Sequence, residues 1–361
     1  VAGGAAGLLP IILLLMTAMA TGMLAGLTGG EAPLVCVYFY PWYSSDGRHW
    51  GDSPLTPVVD EPLLGYYDSR DPVVVDWQLG LISDAGVDCL FVSWWGPGSF
   101  EDEASRLVFQ RLGEHGLKAA ILVEPYLGGD AGLYGRGWWE ETLDYVYENF
   151  VEKYSESYLS WEGRPLVLAF NPIGMSYRPL DPRFTIRIVG NDIDRAGYQH
   201  WDLWPDYLAP WVAEKDAVLR VRGDGYVAIT PRFDDRVFCE AGVRTGCGQR
   251  LIDPDYALNA YAIQWEWVLR NMDRVRLVAV YSWNEYHERS MIEPHRDATA
   301  VNPDPYYAYK ATMNYVARLE ASAGGQGTTD MLAPAAAALA IASLLILILY
   351  IARRGGRGSS P

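Results

Sequence analysis

Four glutamates in this chain, Glu124, Glu285, Glu288 and Glu293, stand where acid–base chemistry could be built. Two of them lie three residues apart in Trp283-Asn284-Glu285-Tyr286-His287-Glu288. Cleaving a glycosidic bond takes one carboxylic acid to protonate the leaving oxygen and commonly a second carboxylate as nucleophile or base at the anomeric centre. Carboxylates held close together push one pKa up, which keeps one of them protonated near neutral pH. The same spacing would also suit an acidic pair in the first turn of a helix, favoured by the helix dipole and chemically idle. The surrounding aromatics, Asn284, His287 and the third acid Glu293 favour chemistry.

Secondary structure has to bring such side chains together. Strand-like runs fall at Leu34 to Tyr40, Cys89 to Trp94, Lys118 to Val123, Pro165 to Phe170, Phe184 to Val189, Tyr226 to Thr230 and Leu277 to Trp283, with a weaker one near His200 to Leu203. They alternate with helical patterns at Pro72 to Ala85, Glu103 to His115, Trp138 to Tyr158, Pro254 to Met272 and Tyr306 to Ala321, the first of them capped by Asp71. About eight βα units in this length predict an α/β fold, a single (β/α)8 barrel of the TIM type. A doubly wound sheet is the competitor, but Tyr40-Pro41-Trp42-Tyr43 follows the first strand in place of a dinucleotide-binding glycine fingerprint.

Barrels of this kind build their sites at the C-terminal ends of the strands. Tyr40, Trp42, Trp94, Trp95, Glu124, Tyr126, Asn284, His287 and Glu293 are therefore read as candidate substrate contacts beside Glu285 and Glu288. Asp234-Asp235 reads as a turn. For Glu124, a solvated loop carboxylate is an equal alternative.

A net charge of -16 with no basic stripe argues against a nucleic-acid partner. Fourteen Trp and 24 Tyr supply flat faces with a polar handle, which suit sugar rings, although any single one is more often core. Cys239 and Cys247 are spaced for an easy disulfide, and Cys36 and Cys89 are either a bridge between neighbouring strands or two small buried side chains. No CxxC occurs and the five His are scattered, so no metal or other cofactor is expected.

Both ends are apolar. Residues 1–30 read as a signal peptide or N-terminal membrane segment, with cleavage expected between Ala25 and Ala32. The catalytic domain is expected over 31–321 and a linker over 322–330. The uncharged run 331–352 is long enough to cross a bilayer as a helix, and 353–361 is a basic tail with Arg353, Arg354 and Arg357. Positive charge after the span predicts a cytoplasmic C-terminus, a single-pass anchor in the lipid bilayer of the cell membrane, and an extracellular domain.

From Val35 to Ala308 the chain resembles glycoside hydrolase family 99, the endo-α-1,2-mannosidase and endomannanase family. The stretches that carry the resemblance are Tyr38-Phe39-Tyr40-Pro41-Trp42-Tyr43, Tyr67-Asp68-Ser69-Arg70-Asp71-Pro72, Ser93-Trp94-Trp95, Glu124-Pro125-Tyr126, and Trp283 to Glu288 running on to Ile292-Glu293-Pro294. The resemblance implies a (β/α)8 barrel that cleaves within α-linked mannose oligosaccharides or polysaccharides, with retention and without a metal. It implies Glu288 as general acid/base and Glu285 as the base that deprotonates the sugar 2-hydroxyl, giving a 1,2-anhydro intermediate. Tyr40, Trp94, Glu124 and Tyr126 would line the sugar subsites. Two positions depart from the family: Arg289-Ser290 stands for the usual Gly-Thr, and Tyr286 for the usual Trp. A cation beside Glu288 is expected to alter its pKa or occupy a subsite. α-1,3-Glucanase-like, glycosyltransferase-like and non-catalytic glycan-binding barrels are the alternatives.

Overall fold

A computed structural model describes residues 31–127, 134–171, 181–190, 199–203, 205, 219–243, 245, 247, 254–298 and 304–324. The larger compact unit, Pro33–Arg318, holds eight parallel strands: β1 (Leu34–Phe39), β2 (Cys89–Trp94), β3 (Lys118–Val123), β4 (Arg164–Phe170), β5 (Thr185–Val189), β6 (Gln199–Trp201), β7 (Tyr226–Ile229) and β8 (Leu277–Val280). The smaller unit contributes residues 31–32 and 319–324 to the described part. The strands pair in the order β6-β5-β4-β3-β2-β1-β8-β7, so the barrel expected from the sequence is what forms and the doubly wound alternative falls away.

The two edge strands meet at a seam made by side chains. Trp201 of β6 stacks on Tyr226 of β7 with centroids 4.3 Å apart, and the Tyr226 hydroxyl donates to the Asp202 carbonyl at 2.6 Å. Beneath them Asp224 accepts from Trp161 Nε1 at 3.1 Å, Trp201 Nε1 at 3.0 Å and Arg187 Nε at 2.9 Å. Burying this carboxylate is tolerable because those donors satisfy it.

Among the described residues, helices α1 (Pro72–Asp84), α2 (Phe100–Arg111) and α3 (Arg136–Val146) follow β1, β2 and β3, α4 (Arg236–Glu240) and α5 (Pro254–Arg270) lie between β7 and β8, and a last helix over 307–324 follows β8. Asp71 caps α1 as expected, its side chain accepting from Val73 N, and Ser99 caps α2. The single helix expected over Trp138 to Tyr158 is shorter: α3 widens into a π-helical turn at Tyr147–Val151 and ends, with Phe150 fully buried. Strand β8 also stops early, at Val280 rather than Trp283, because the chain turns inward to form the acidic loop.

Strand periodicity sets the barrel's interior. Cys36, Tyr38 and Tyr40, then Cys89 and Phe91, then Ala120 and Leu122, then Leu166 and Leu168, then Leu277, Ala279 and Tyr281 all join one buried cluster. Alternate residues face alternate sides. Cys36 and Cys89 stand opposite each other in the β1–β2 register and are disulfide-bonded, and Cys239 and Cys247 are bonded as well. Among the described residues no helix is long and apolar enough to cross a membrane; the runs 1–30 and 331–352 lie outside them.

Candidate active site

At the C-terminal mouth of the strands lies a cavity of about 380 Å³, lined by aromatic and aliphatic side chains and three carboxylates, Glu124, Glu285 and Glu288. The interior parity explains who reaches it. Tyr40, Glu124, Phe170 and Tyr281 each continue the inward series of their strand by one step and all line the cavity. Ser93 is the corresponding residue of β2, and its Oγ donates to Glu124 Oε1 at 2.9 Å.

Glu285 and Glu288 lie in a non-helical turn, so the acidic helix start is not what forms here. Trp283 N donates to the Tyr38 carbonyl at 2.7 Å, and Asp234 N donates to the Glu288 carbonyl at 2.8 Å, fixing the turn to β1 and to the loop after β7. Glu285 Oε1 accepts from the His287 backbone N–H at 2.9 Å and faces His287 Nδ1 at 3.0 Å. Glu288 Oε2 accepts from the Tyr281 hydroxyl at 2.6 Å.

The His287 contacts fix a proton inventory. His287 Nε2 lies 3.0 Å from the His49 carbonyl, which can only accept, so Nε2 carries a hydrogen. Two lone pairs would repel across the Nδ1 to Glu285 gap, so the pair holds one further proton. Burial alone would depress the His287 pKa, but the charge and hydrogen bond of Glu285 outweigh it and raise the pKa. The further proton therefore rests on the imidazole, whose Nδ1–H points at Glu285 Oε1.

Glu124 behaves oppositely. Burial, with the Glu285 charge adding to it and the Ser93 hydrogen bond opposing it, pushes its pKa up to about 8. At neutral pH it can donate a hydrogen bond into the cavity. The reading of Glu124 as a solvated loop carboxylate does not hold, since it is 5% exposed.

Of the expected contacts, Tyr40, Trp42, Trp95, Glu124 and His287 line the cavity with Glu285 and Glu288. Trp42 is sandwiched, stacking on Tyr40 at 4.5 Å and on His49 at 4.9 Å. Trp94 is not a cavity residue: one step from Ser93, it points outward, and its Nε1 donates to Asp102 of α2 at 2.9 Å. Tyr126 also turns away, donating or accepting at Thr142 Oγ1 of α3 at 2.7 Å, its ring so close to Gly96 (φ 96°) that a Cβ there would sit 2.3 Å from it.

Asn284 is buried and ties the turn to β1, accepting from Tyr40 N at 2.8 Å and donating to the Tyr40 carbonyl at 2.9 Å. Glu293 is buried behind the site, where Gln78, Tyr67 and Tyr286 donate to it at 2.7, 2.9 and 2.9 Å; burial lifts its pKa to about 7 against those bonds. His287 has both ring nitrogens engaged within the protein, which replaces the expected bond from it to a sugar.

Arg289 does not crowd the acid. It adopts φ 52°, and its guanidinium binds Asp60, Asp234 and Asp297 while lying 5% exposed. Sequence reading missed Tyr281, His49, Leu55, Phe170, Leu203 and Phe238. Parity along β4 and β8 would have found Phe170 and Tyr281, whereas His49 and Leu55 arrive on a loop with no periodic signal.

No family model matches the chain. In sequence it is 28% identical to the glycoprotein endo-alpha-1,2-mannosidase of Xenopus laevis, over 26% of this chain and 28% of that protein. It is 25% identical to the glycoprotein endo-alpha-1,2-mannosidase-like protein of Homo sapiens, over 26% of this chain and 27% of that one. The matched region thus spans little more than a quarter of the length of these curated relatives. In structure it is similar to an endo-alpha-mannosidase of glycoside hydrolase family 99 from Bacteroides thetaiotaomicron, with TM-score 0.60, 16% identity, 81% of this chain and 99% of that chain covered. A glycoside hydrolase-like protein superposes with TM-score 0.51 at 11% identity, over 79% of this chain and 94% of its own. The resemblance to family 99 carried by the motifs is borne out, and the barrel fold is shared.

Proposed function

We propose that the chain is a retaining, endo-acting α-glycoside hydrolase of the family 99 kind, acting on α-mannose-type glycans. The observation that carries the reading is the meeting of Glu285 and Glu288 in one aromatic-walled cavity at the strand ends, each with its own proton partner. Glu285 takes the proton of the sugar 2-hydroxyl. The freed oxygen attacks the anomeric carbon, and the glycosidic bond breaks as Glu288 protonates the leaving oxygen. Water then opens the 1,2-anhydro sugar, giving its proton to Glu288 while Glu285 returns one to O2, so configuration is retained. Neutral Glu124 serves as a donor to a sugar oxygen, and Trp42 and Trp95 supply apolar walls.

Incubation with α-mannan should release oligosaccharides, and Glu288→Gln should reduce that release by several orders of magnitude. Wild-type turnover in Glu288→Gln would remove Glu288 from this role. For location, we propose an extracellular barrel held by the apolar run 331–352, on the strength of that run and its basic flank. Protease added to intact cells should digest the barrel; digestion only after lysis contradicts this orientation.

A further inference from the structure

We infer that Tyr281 is a positioning residue for Glu288: its hydroxyl holds one carboxylate oxygen and stabilises the carboxylate that forms as the proton leaves. Three observations carry this. Tyr281 lies at the end of β8 and lines the cavity with Glu288. Its hydroxyl donates to Glu288 Oε2 at 2.6 Å, the length of a charge-assisted O–H···O bond. Its own ionisation is strongly disfavoured, by burial first and by the Glu288 charge next, so it remains a donor throughout the working pH range.

The hydrogen bond strengthens during the reaction. When the leaving oxygen takes the proton from Glu288, the O–H bond pair stays on the carboxylate, and the fixed Tyr281 dipole meets the new charge without solvent reorganisation. Tyr40 packs beside it, in a T-shaped ring contact with Tyr281 at 6.2 Å between centroids. The ionisable groups facing this part of the cavity are Tyr281 just after β8, Tyr40 after β1, Glu124 after β3, His49 from its loop, and Glu285 and His287 from the turn that carries Glu288. Among these, Tyr281 supplies the direct bond to Glu288 Oε2, so removing its hydroxyl should act on Glu288 first.

The assignment of Glu288 as proton donor rests on the function proposed above, so the decisive measurement is made without substrate. In the full chain labelled at Glu side-chain carboxyls with ¹³C, the Glu288 signal is identified by its loss in Glu288→Gln. In Tyr281→Phe its titration midpoint should rise by about one pH unit or more, because the charged form loses a donor. An unchanged or lowered midpoint overturns the inference whether or not mannan is a substrate. If Tyr281→Phe does not fold, 3-fluorotyrosine at position 281, a stronger donor, should lower the midpoint, and a rise overturns it. Where the wild type cleaves mannan, Tyr281→Phe should lose roughly 10²-fold in kcat, as for other transition-state donors, with KM nearly unchanged, and the basic limb of its pH profile should move upward. A change confined to KM would make Tyr281 a sugar contact instead. Absence of wild-type cleavage with the shifted midpoint overturns the substrate and leaves the positioning role standing.

Discussion

Arg289 grips both carboxylate oxygens of Asp60, with Nε to Oδ2 at 2.8 Å and Nη2 to Oδ1 at 2.9 Å. This residue directly follows Glu288, where the resembled family carries glycine, and it keeps the left-handed backbone at φ 52° that glycine adopts readily. Arg232 joins from the β7 loop, donating to Asp60 at 2.7 Å and Asp297 at 2.6 Å. The two cations hold the Asp60 pKa down to about 2 against its burial, and tie three loops together beside the active turn.

Arg289→Gly should therefore destabilise the chain despite the easier backbone. It leaves Asp60, Asp234 and Asp297 with fewer buried partners, and breaking such a buried pair costs about 3–5 kcal/mol. Urea unfolding of the variant against the wild type checks this. Equal midpoints would mean that the cluster adds nothing to stability.

His287→Gln should lower kcat/KM by roughly tenfold, because Glu285 loses the charged Nδ1–H partner 3.0 Å from its Oε1. Initial rates on α-mannan measure it, and an unchanged kcat/KM contradicts the proton assignment.

Glu124 and Glu293 should make stability fall as pH rises. Both pKa values are raised on folding, to about 8 and about 7, so the folded state holds protons that the unfolded chain releases above about 4.3. Their contribution is fully present below that value, declines between it and about pH 8, and then levels. Thermal melts from pH 4.5 to 8.5 should show this slope, and Glu124→Gln with Glu293→Gln should flatten it.

Asp224→Asn should open the seam between β6 and β7. Arg187, buried in β5, would keep Glu162 but lose the Asp224 charge at 2.9 Å, at a cost of about 3–5 kcal/mol. A matching drop in stability, read by urea unfolding at neutral pH, is expected; a stable variant would assign the closure to the Trp201–Tyr226 stack and the Tyr226–Asp202 hydrogen bond.

Strand positions were legible because burial writes period two into a strand and amphipathic helices separate the strands. All eight runs form, and the position of Glu285 and Glu288 just beyond the last of them follows from the same pattern. Which aromatics face the cavity was legible only in part. Trp94 and Trp95 are adjacent and chemically alike, yet the pleat sends Trp94 to Asp102 of α2 and leaves Trp95 at the cavity. Composition carries no mark of that choice; the parity of β2 makes it, once Cys89 and Phe91 are known to face inward.

The sequence by itself determined the barrel, the acidic turn and its place at the strand ends, since these follow from periodicity and from which residue types stand together along the chain. Tertiary structure alone decided the partners: His287 on Glu285, Tyr281 on Glu288, Ser93 on Glu124, and Arg289 turned to Asp60 instead of the cavity. Protonation states depend on burial and on charges brought close by folding, 31 residues away for Ser93 and 229 for Asp60, and no spacing along the chain encodes them.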